Sequence, residues 1–282
     1  MKLTVCIATH NEIDTIDRVL KSVIDWVDEV VIVDGASTDD TVKRAQSYGP
    51  KVKIIETTNK PMFHLNKQMA LDSACGDWIL QLDADEEVTD NLQKEILGIF
   101  NDQFSNSNSN IFAYQIPRVN YFLGKPLLKG GVYPDYTIRL YKRGSMYFPC
   151  KDVHENVTPV GRHPELVEGS TQTWLGTLEH PMNHYSDPTF TRYLTRWSRY
   201  NKAEAKRVKE EALRLYGQSA RYSIWKVKFI TTCIFWLPII WFVRTYIRHL
   251  GFMDGWQGLV FHFMSAMRWW GIATNVMTSS KF

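Results

Sequence analysis

Cysteine is scarce and scattered: Cys6, Cys75, Cys150 and Cys233 are spread through 282 residues, with no Cys-x-x-Cys and no metal-ligand spacing. That argues against a disulfide framework and fits a reducing compartment. No basic segment followed by a long apolar stretch opens the chain, so no cleaved leader is expected. Internal repeats are absent. No G-x-G-x-x-G follows the first strand-like run, and no G-x-x-x-x-G-K-[ST] occurs anywhere; dinucleotide-binding dehydrogenases and P-loop NTPases are thereby set aside. His154-Glu155 has no second histidine four residues on, which removes a zincin-type site. Gly35-Ala36-Ser37-Thr38-Asp39 follows a strand as a nucleophile elbow would, but Asp39 stands where the last glycine belongs.

Acidic residues are also scarce in one region. Residues 192–282 hold 15 Lys+Arg against 4 Asp+Glu, whereas residues 1–191 hold 18 against 26. The formal charge of +3 therefore conceals an acidic N-terminal part joined to a basic tail that suits an anionic partner. Within that tail, Phe229–Val243 is uncharged and aromatic-rich, and Pro238 should kink it. A helix of this length covers roughly 22 Å, short of a ~30 Å hydrocarbon core. It reads as a buried helical hairpin, as an interfacial anchor on an anionic membrane surface or, less well, as a full span, and the anchor is preferred.

Upstream, strand-like and helical patterns alternate. Leu3–Ala8, Glu29–Val33, Val52–Ile55 and Trp78–Leu82 are short runs apolar on both faces, as in a parallel sheet. Between them, Ile13, Ile16, Leu20, Val23 and Ile24 recur at helical spacing, a second helix is expected to about Ser47, and His64–Ala74 gives a third. After the polar loop 105–110, residues 111–180 read as an antiparallel, loop-bearing half of the same domain. The expected organisation is an α/β domain over 1–188 and a basic, aromatic-rich helical region over 189–282.

Three polar clusters sit at carboxyl ends of these strands: Thr9–Glu12, Asp34–Asp39 and Asp83–Glu87. Ligands of open α/β sheets bind at such ends. Asp83 and Asp85, two residues apart, suit a hard cation such as Mg²⁺ or Mn²⁺ that offsets the charge of a departing diphosphate. The alternative is an acidic helix start favoured by the macrodipole.

Ala8-Thr9-His10-Asn11-Glu12, Val33-Asp34-Gly35-Ala36-Ser37-Thr38-Asp39 and Leu82-Asp83-Ala84-Asp85-Glu86 together resemble family 2 glycosyltransferases. Gly130-Gly131-Val132-Tyr133-Pro134-Asp135, Arg139-Leu140-Tyr141, Val153-His154-Glu155 and Gly251-Phe252-Met253-Asp254-Gly255 narrow the resemblance to bacterial lipopolysaccharide inner-core β-glucosyltransferases and their relatives. The resemblance implies a GT-A fold, with a Rossmann-like mixed sheet flanked by helices. It also implies a nucleotide-diphosphate sugar donor, an inverting mechanism and a glycan or lipid-linked acceptor, at the cytoplasmic face of the inner membrane. It places Thr9, Asn11, Glu12, Asp34 and Ser37 at the nucleotide, with Arg139 as a further donor contact and Lys67 as either another or a surface lysine. Asp83 is expected at ribose or metal, Asp85 at the metal, and His154 as a metal or phosphate ligand or a structural histidine. His184 carries the same two readings. Asp39 is expected to cap a helix.

Inverting transfer needs a carboxylate to take the acceptor proton. The candidates are Asp135, Asp152 and Glu155; Glu155 is the expected base, with Asp135 second unless it pairs with Arg139. Arg196, Arg199 and Tyr200 either hold an anionic group or form a solvated basic face; Arg196 stands where the resemblance has lysine. Two other classes are weaker. A nucleotidyltransferase would carry a glycine-rich basic loop in place of Thr9–Glu12. A nucleic-acid binder would use region 192–228, whose 11 Lys+Arg come without a stacking module, so no nucleic-acid partner is expected.

Overall fold

The apolar run after Lys2 is strand β1 (Leu3–Thr9), buried throughout. Leu3, Val5 and Ile7 face one side of the sheet and pack with Ile16, Val19, Leu20 and Val23 of helix α1 (Ile16–Val23). That i, i+3, i+4, i+7 spacing lays four apolar side chains on one stripe of α1. Ile13, expected in the same stripe, lies before the helix and is exposed.

The chain continues through β2 (Glu29–Asp34), α2 (Thr41–Gln46), β3 (Val52–Glu56), α3 (Phe63–Asp72), β4 (Trp78–Asp83), β5 (Glu86–Val88) and α4 (Asp90–Ser105). Then come β6 (Ala113–Phe122), β7 (Lys125–Pro126), β8 (Asp135–Lys142), β9 (Met146–Tyr147), β10 (Thr158–Pro159), β11 (Leu175–Thr177) and β12 (Met182–Asp187). The helices α5 (Phe190–Tyr216), α6 (Ala220–Phe235), α7 (Leu237–Phe242) and α8 (Gly255–Thr278) complete it. The structure is a computed structural model and describes residues 1–60, 62–105, 110–150, 156–160, 174–217 and 219–278, without the side chains of 102–105.

The main sheet runs β3-β2-β1-β4-β8-β6-β12-β5. β3, β2, β1 and β4 are parallel, with β2, β1 and β4 buried on both faces and β3 a half-exposed edge, while β8 is antiparallel to β4 and to β6. The sheet is therefore mixed, with antiparallel pairing beginning at β8; the expectation of a wholly antiparallel half is corrected at β11, which pairs parallel to β6. Cys6, Val31, Val33 and Ile79 form the second face, against Ala70 and Leu71 of α3.

The chain divides into two compact units, Met1–Val119 with Asp135–His184, and Asn120–Pro134 with Tyr185–Phe282. The insert Asn120–Pro134, inside the expected 1–188 domain, packs instead with the C-terminal helices. Phe122 and Leu127 share a core with Tyr193, Trp197 and Phe261. The Asp254 carboxylate accepts the backbone N–H of Leu128 (3.2 Å) and of Lys129 (3.0 Å), and Gly130 donates its N–H to the His249 carbonyl at 2.8 Å. Gly130, at φ +72°, lies so close to the His262 ring that a Cβ there would come within 2.0 Å of it. Only glycine fits that approach.

Pro238 falls in the first turn of α7, and the helix breaks at Trp236 as expected. The stretches Ala220–Phe235 and Leu237–Arg248, the latter ending in a π-helical turn, are bent by 45°. Among the described residues no single helix is long and apolar enough to cross a membrane, though this bent pair together has the length and composition.

Candidate active site

Parallel pairing brings the three clusters to one rim, since Thr9 lies opposite Asp34 and Ala8 opposite Asp83. Asp34, 1% exposed, organises the loop beyond β2. Its Oδ1 accepts the Thr9 hydroxyl (3.0 Å) and the Ser37 hydroxyl (2.5 Å), and its Oδ2 accepts the Ser37 N–H (2.8 Å). Ser37 Oγ accepts the Asn11 N–H at 2.8 Å, and Asn11 Oδ1 accepts the Thr38 N–H at 2.7 Å. Asn11 (φ 57°) and Ala36 (φ 60°) adopt left-handed backbone, which turns both loops sharply at the strand ends. Gly35 leaves room for Asn66, whose Nδ2 would lie 2.9 Å from a Cβ there. Asn66 is 1% exposed and its Oδ1 has no protein hydrogen-bond partner.

Glu12 donates its N–H to Thr41 Oγ1 (2.9 Å) and accepts the Thr15 hydroxyl on Oε2 (2.8 Å) at the start of α1. Asp40, not Asp39, is the N-cap residue of α2; Asp39 stands one residue earlier, and its Oδ1 accepts both the N–H (3.0 Å) and the hydroxyl (2.5 Å) of Thr41.

Below Asp83 runs a chain of alternating charge. Lys67 of α3, on the buried side of its helix, pairs with Asp83 Oδ1. Arg139 of β8 reaches Asp83 Oδ2 at 2.8 Å, Glu86 Oε1 at 2.5 Å and the Gln81 side-chain oxygen. Arg118 of β6 joins Glu86 (3.3 Å) to Asp135 (2.7 Å). Three cations thus balance three carboxylates, and Glu86 at their centre is fully buried. Desolvation would raise the Asp83 carboxyl, but the Arg139 and Lys67 charges override it and hold it well below the usual carboxylate range. Burial would likewise lower the Arg139 guanidinium, yet Asp83 and Glu86 push it up.

Both carboxylate oxygens of Asp83, expected at ribose or metal, are engaged by cations. Asp85 instead turns to His184, with Oδ1 and Nε2 3.5 Å apart. Strand pairing fixes that approach, because His184 lies opposite Glu86 across β12 and β5. Among the described residues no group of three or more His, Cys, Asp or Glu converges as a metal site. Asp135 pairs with Arg118 and not with Arg139, a correction that follows from β6 lying beside β8 with Arg118 opposite Asp135. Arg196 pairs with Asp187, and Arg199 lies over the Tyr200 ring at 5.5 Å. Glu155, His154 and Asp152 lie outside the described residues. Arg118 and the central role of Glu86 escaped sequence reasoning. The signal for Arg118 was a lone cation within the largely apolar strand Ala113–Phe122.

The chain is similar to known glycosyltransferases. The model of the family described as Glycosyl transferase family 2 matches residues 4–154. An uncharacterized glycosyltransferase of Rickettsia typhi is 29% identical, over 92% of this chain and 81% of its own length. The lipopolysaccharide core biosynthesis glycosyltransferase LpsC of Rhizobium meliloti is 26% identical, over 85% and 82%. The crystal structure of S. aureus TarS 1-349 in complex with UDP-GlcNAc aligns over 99% of this chain and 91% of that 1-349 chain at 15% identity, with a TM-score of 0.46. With its three strand-end clusters in register and more than half its length matched by the family model, the chain belongs to glycosyltransferase family 2 and is a glycosyltransferase.

Proposed function

We propose that this enzyme transfers a hexose, with inversion, from a nucleotide-diphosphate sugar to a lipid-linked or lipopolysaccharide-core-type glycan, with a UDP-sugar as the leading donor. Its place of work in this reading is the cytoplasmic face of the inner membrane. The observation that carries the reading is the shared rim of Thr9, Asp34 and Asp83, with Asp85 and His184 beside it. The name of the Rhizobium relative supports the acceptor class.

Thr9, Asn11, Asp34 and Ser37 would receive base and ribose, and Asn66 Oδ1, a buried acceptor without a protein partner, supports the reading. Lys67 and Arg139 hold Asp83 ionised and fixed, so it accepts a ribose hydroxyl without reorganising. Asp85 and His184 would hold a Mg²⁺ or Mn²⁺ ion, a carboxylate and imidazole pair suited to a cation whose remaining ligands are phosphate oxygens and water. Such an ion supplies electrostatic stabilisation to the leaving diphosphate.

For the base, Asp135 Oδ2 already accepts two N–H groups of Arg118, which leaves Glu155 the preferred candidate in this reading. The test is a panel of nucleotide sugars with Mg²⁺ and with Mn²⁺, scored by nucleoside diphosphate release. One donor should stand out, and its turnover should need metal and vanish in Asp85→Ala. Release with no donor, or metal dependence that survives Asp85→Ala, overturns this reading.

A further inference from the structure

We infer that the C-terminal unit docks on an anionic lipid bilayer, lying in its interface through apolar helix stripes that the fold turns outward. The inference needs none of the donor chemistry above and concerns a surface, not the cleft. Among the described residues 29 large hydrophobic side chains are exposed, and 16 of them lie between Ile224 and Met277. They are patterned, not scattered. On α6, Ile224, Val227 and Phe235 share one side; along α7 and its π-helical turn, Ile239, Ile240, Val243 and Ile247 do the same. On α8 the outward positions are Trp256, Leu259, Phe263 and Trp270, while Gly258, His262, Ala266 and Ala273 of the same helix are buried. Each helix thus buries one face within the unit and offers an apolar face outward, the reverse of a soluble helix.

Charge selects the occupant. Residues 212–282 contain eight Lys+Arg and a single acid, Asp254, which is buried and taken up by two backbone N–H groups. Two such faces repel one another, so a second copy is disfavoured, whereas anionic headgroups complement them. A groove of about 410 Å³ on α6 joins the two features. Arg221 and Lys228 supply cations to it, Ile224, Trp225 and Phe229 an apolar wall, and Tyr216 at the end of α5 closes it. This combination fits a phosphate headgroup above its glycerol backbone. Trp236 and Trp256, 64% and 60% exposed, occupy the kind of position that indole favours between headgroup and acyl chain. The 45° bend lets α6 and α7 lie in a plane without crossing.

Flotation of the full chain with vesicles tests this, using phosphatidylcholine alone and phosphatidylcholine with one lipid in three replaced by phosphatidylglycerol. The native chain should float with the anionic vesicles. Arg221→Gln/Lys228→Gln should lower that partition about 25-fold, at roughly fivefold per cation. Trp236→Gln/Ile239→Gln/Ile240→Gln should lower it about a hundredfold on either vesicle. Lys94→Gln, an exposed cation of the other unit, should leave it unchanged. Circular dichroism confirms folding, and nucleoside diphosphate release from the same preparations separates failure here from failure of the transferase reading. Any of three results overturns the inference: a native chain that stays off both vesicles, charge variants that bind as well as native, or a native dimer by light scattering that the apolar variant converts to monomer.

Discussion

Removing the Arg139 charge is the sharpest test of the network under the rim. Arg139→Met leaves Glu86, fully buried, with Arg118 alone, and Asp83 with Lys67 alone. Arg139 itself keeps only 6% of its side chain exposed, so water cannot replace it cheaply. Breaking a buried ion pair on one side costs about 3–5 kcal/mol. At about 2–4 °C per kcal/mol for a domain of this size, the melting midpoint should fall by roughly 6–20 °C. Arg139→Met/Glu86→Gln removes one charge of each sign and leaves two matched pairs, Lys67–Asp83 and Arg118–Asp135, so it should recover much of that loss.

The effect of pH has a definite sign. Asp83 titrates below its unfolded value, so its contribution to stability is complete above about pH 4 and disappears as pH falls through the folded value. Without Arg139 the folded value climbs toward the unfolded one and that contribution shrinks. The gap between native and variant melting midpoints should therefore be widest near neutrality and narrow toward about pH 3. Differential scanning calorimetry across that range measures it. A variant melting within about 2 °C of native at neutral pH, or a double variant no better than the single, refutes the coupling.

Glu155→Gln should leave donor affinity near native and suppress transfer by about 10²–10⁴-fold, whereas Asp135→Asn should mainly lower stability; the opposite outcome in rapid-quench assays moves the base to Asp135. Asp34→Asn replaces one acceptor oxygen with a donor facing Thr9 and Ser37, and calorimetry should show nucleoside diphosphate binding weakened by about tenfold or more. Gly35→Ala puts a Cβ 2.9 Å from Asn66 Nδ2 and 3.4 Å from the Thr9 carbonyl, and a loss of about 1–3 kcal/mol should appear in urea titrations.

Much of the parallel half was legible because its signals are local. The apolar runs, the helical stripe of α1 and the polar residues at strand ends are read within about ten residues, and apart from Ile13, which lies before α1, they recur at their expected places. Pairings across long separations were not. Arg139 meets Asp83 and Glu86 at separations of 56 and 53 residues, and nothing in a linear pattern says which carboxylate a cation will reach. Lys67 reads almost equally well as a surface lysine, but the helix turns it inward between Phe63 and Phe148 onto Asp83. The tail gave the opposite lesson. Its uncharged run and Pro238 were plain in sequence, but which side chains face outward depends on how α8 packs against α5, α6 and α7.

The insert Asn120–Pro134 ties its fate to the far end of the chain. Its backbone is held by Asp254 and His249, and its Gly130 exists for the sake of His262. Cutting away the last helices would strip this segment of its anchors, so a truncated enzyme is expected to lose the native conformation of residues 120–134 as well. Chimeras between relatives face the same bond: a borrowed tail should work only when residues 120–134 travel with it.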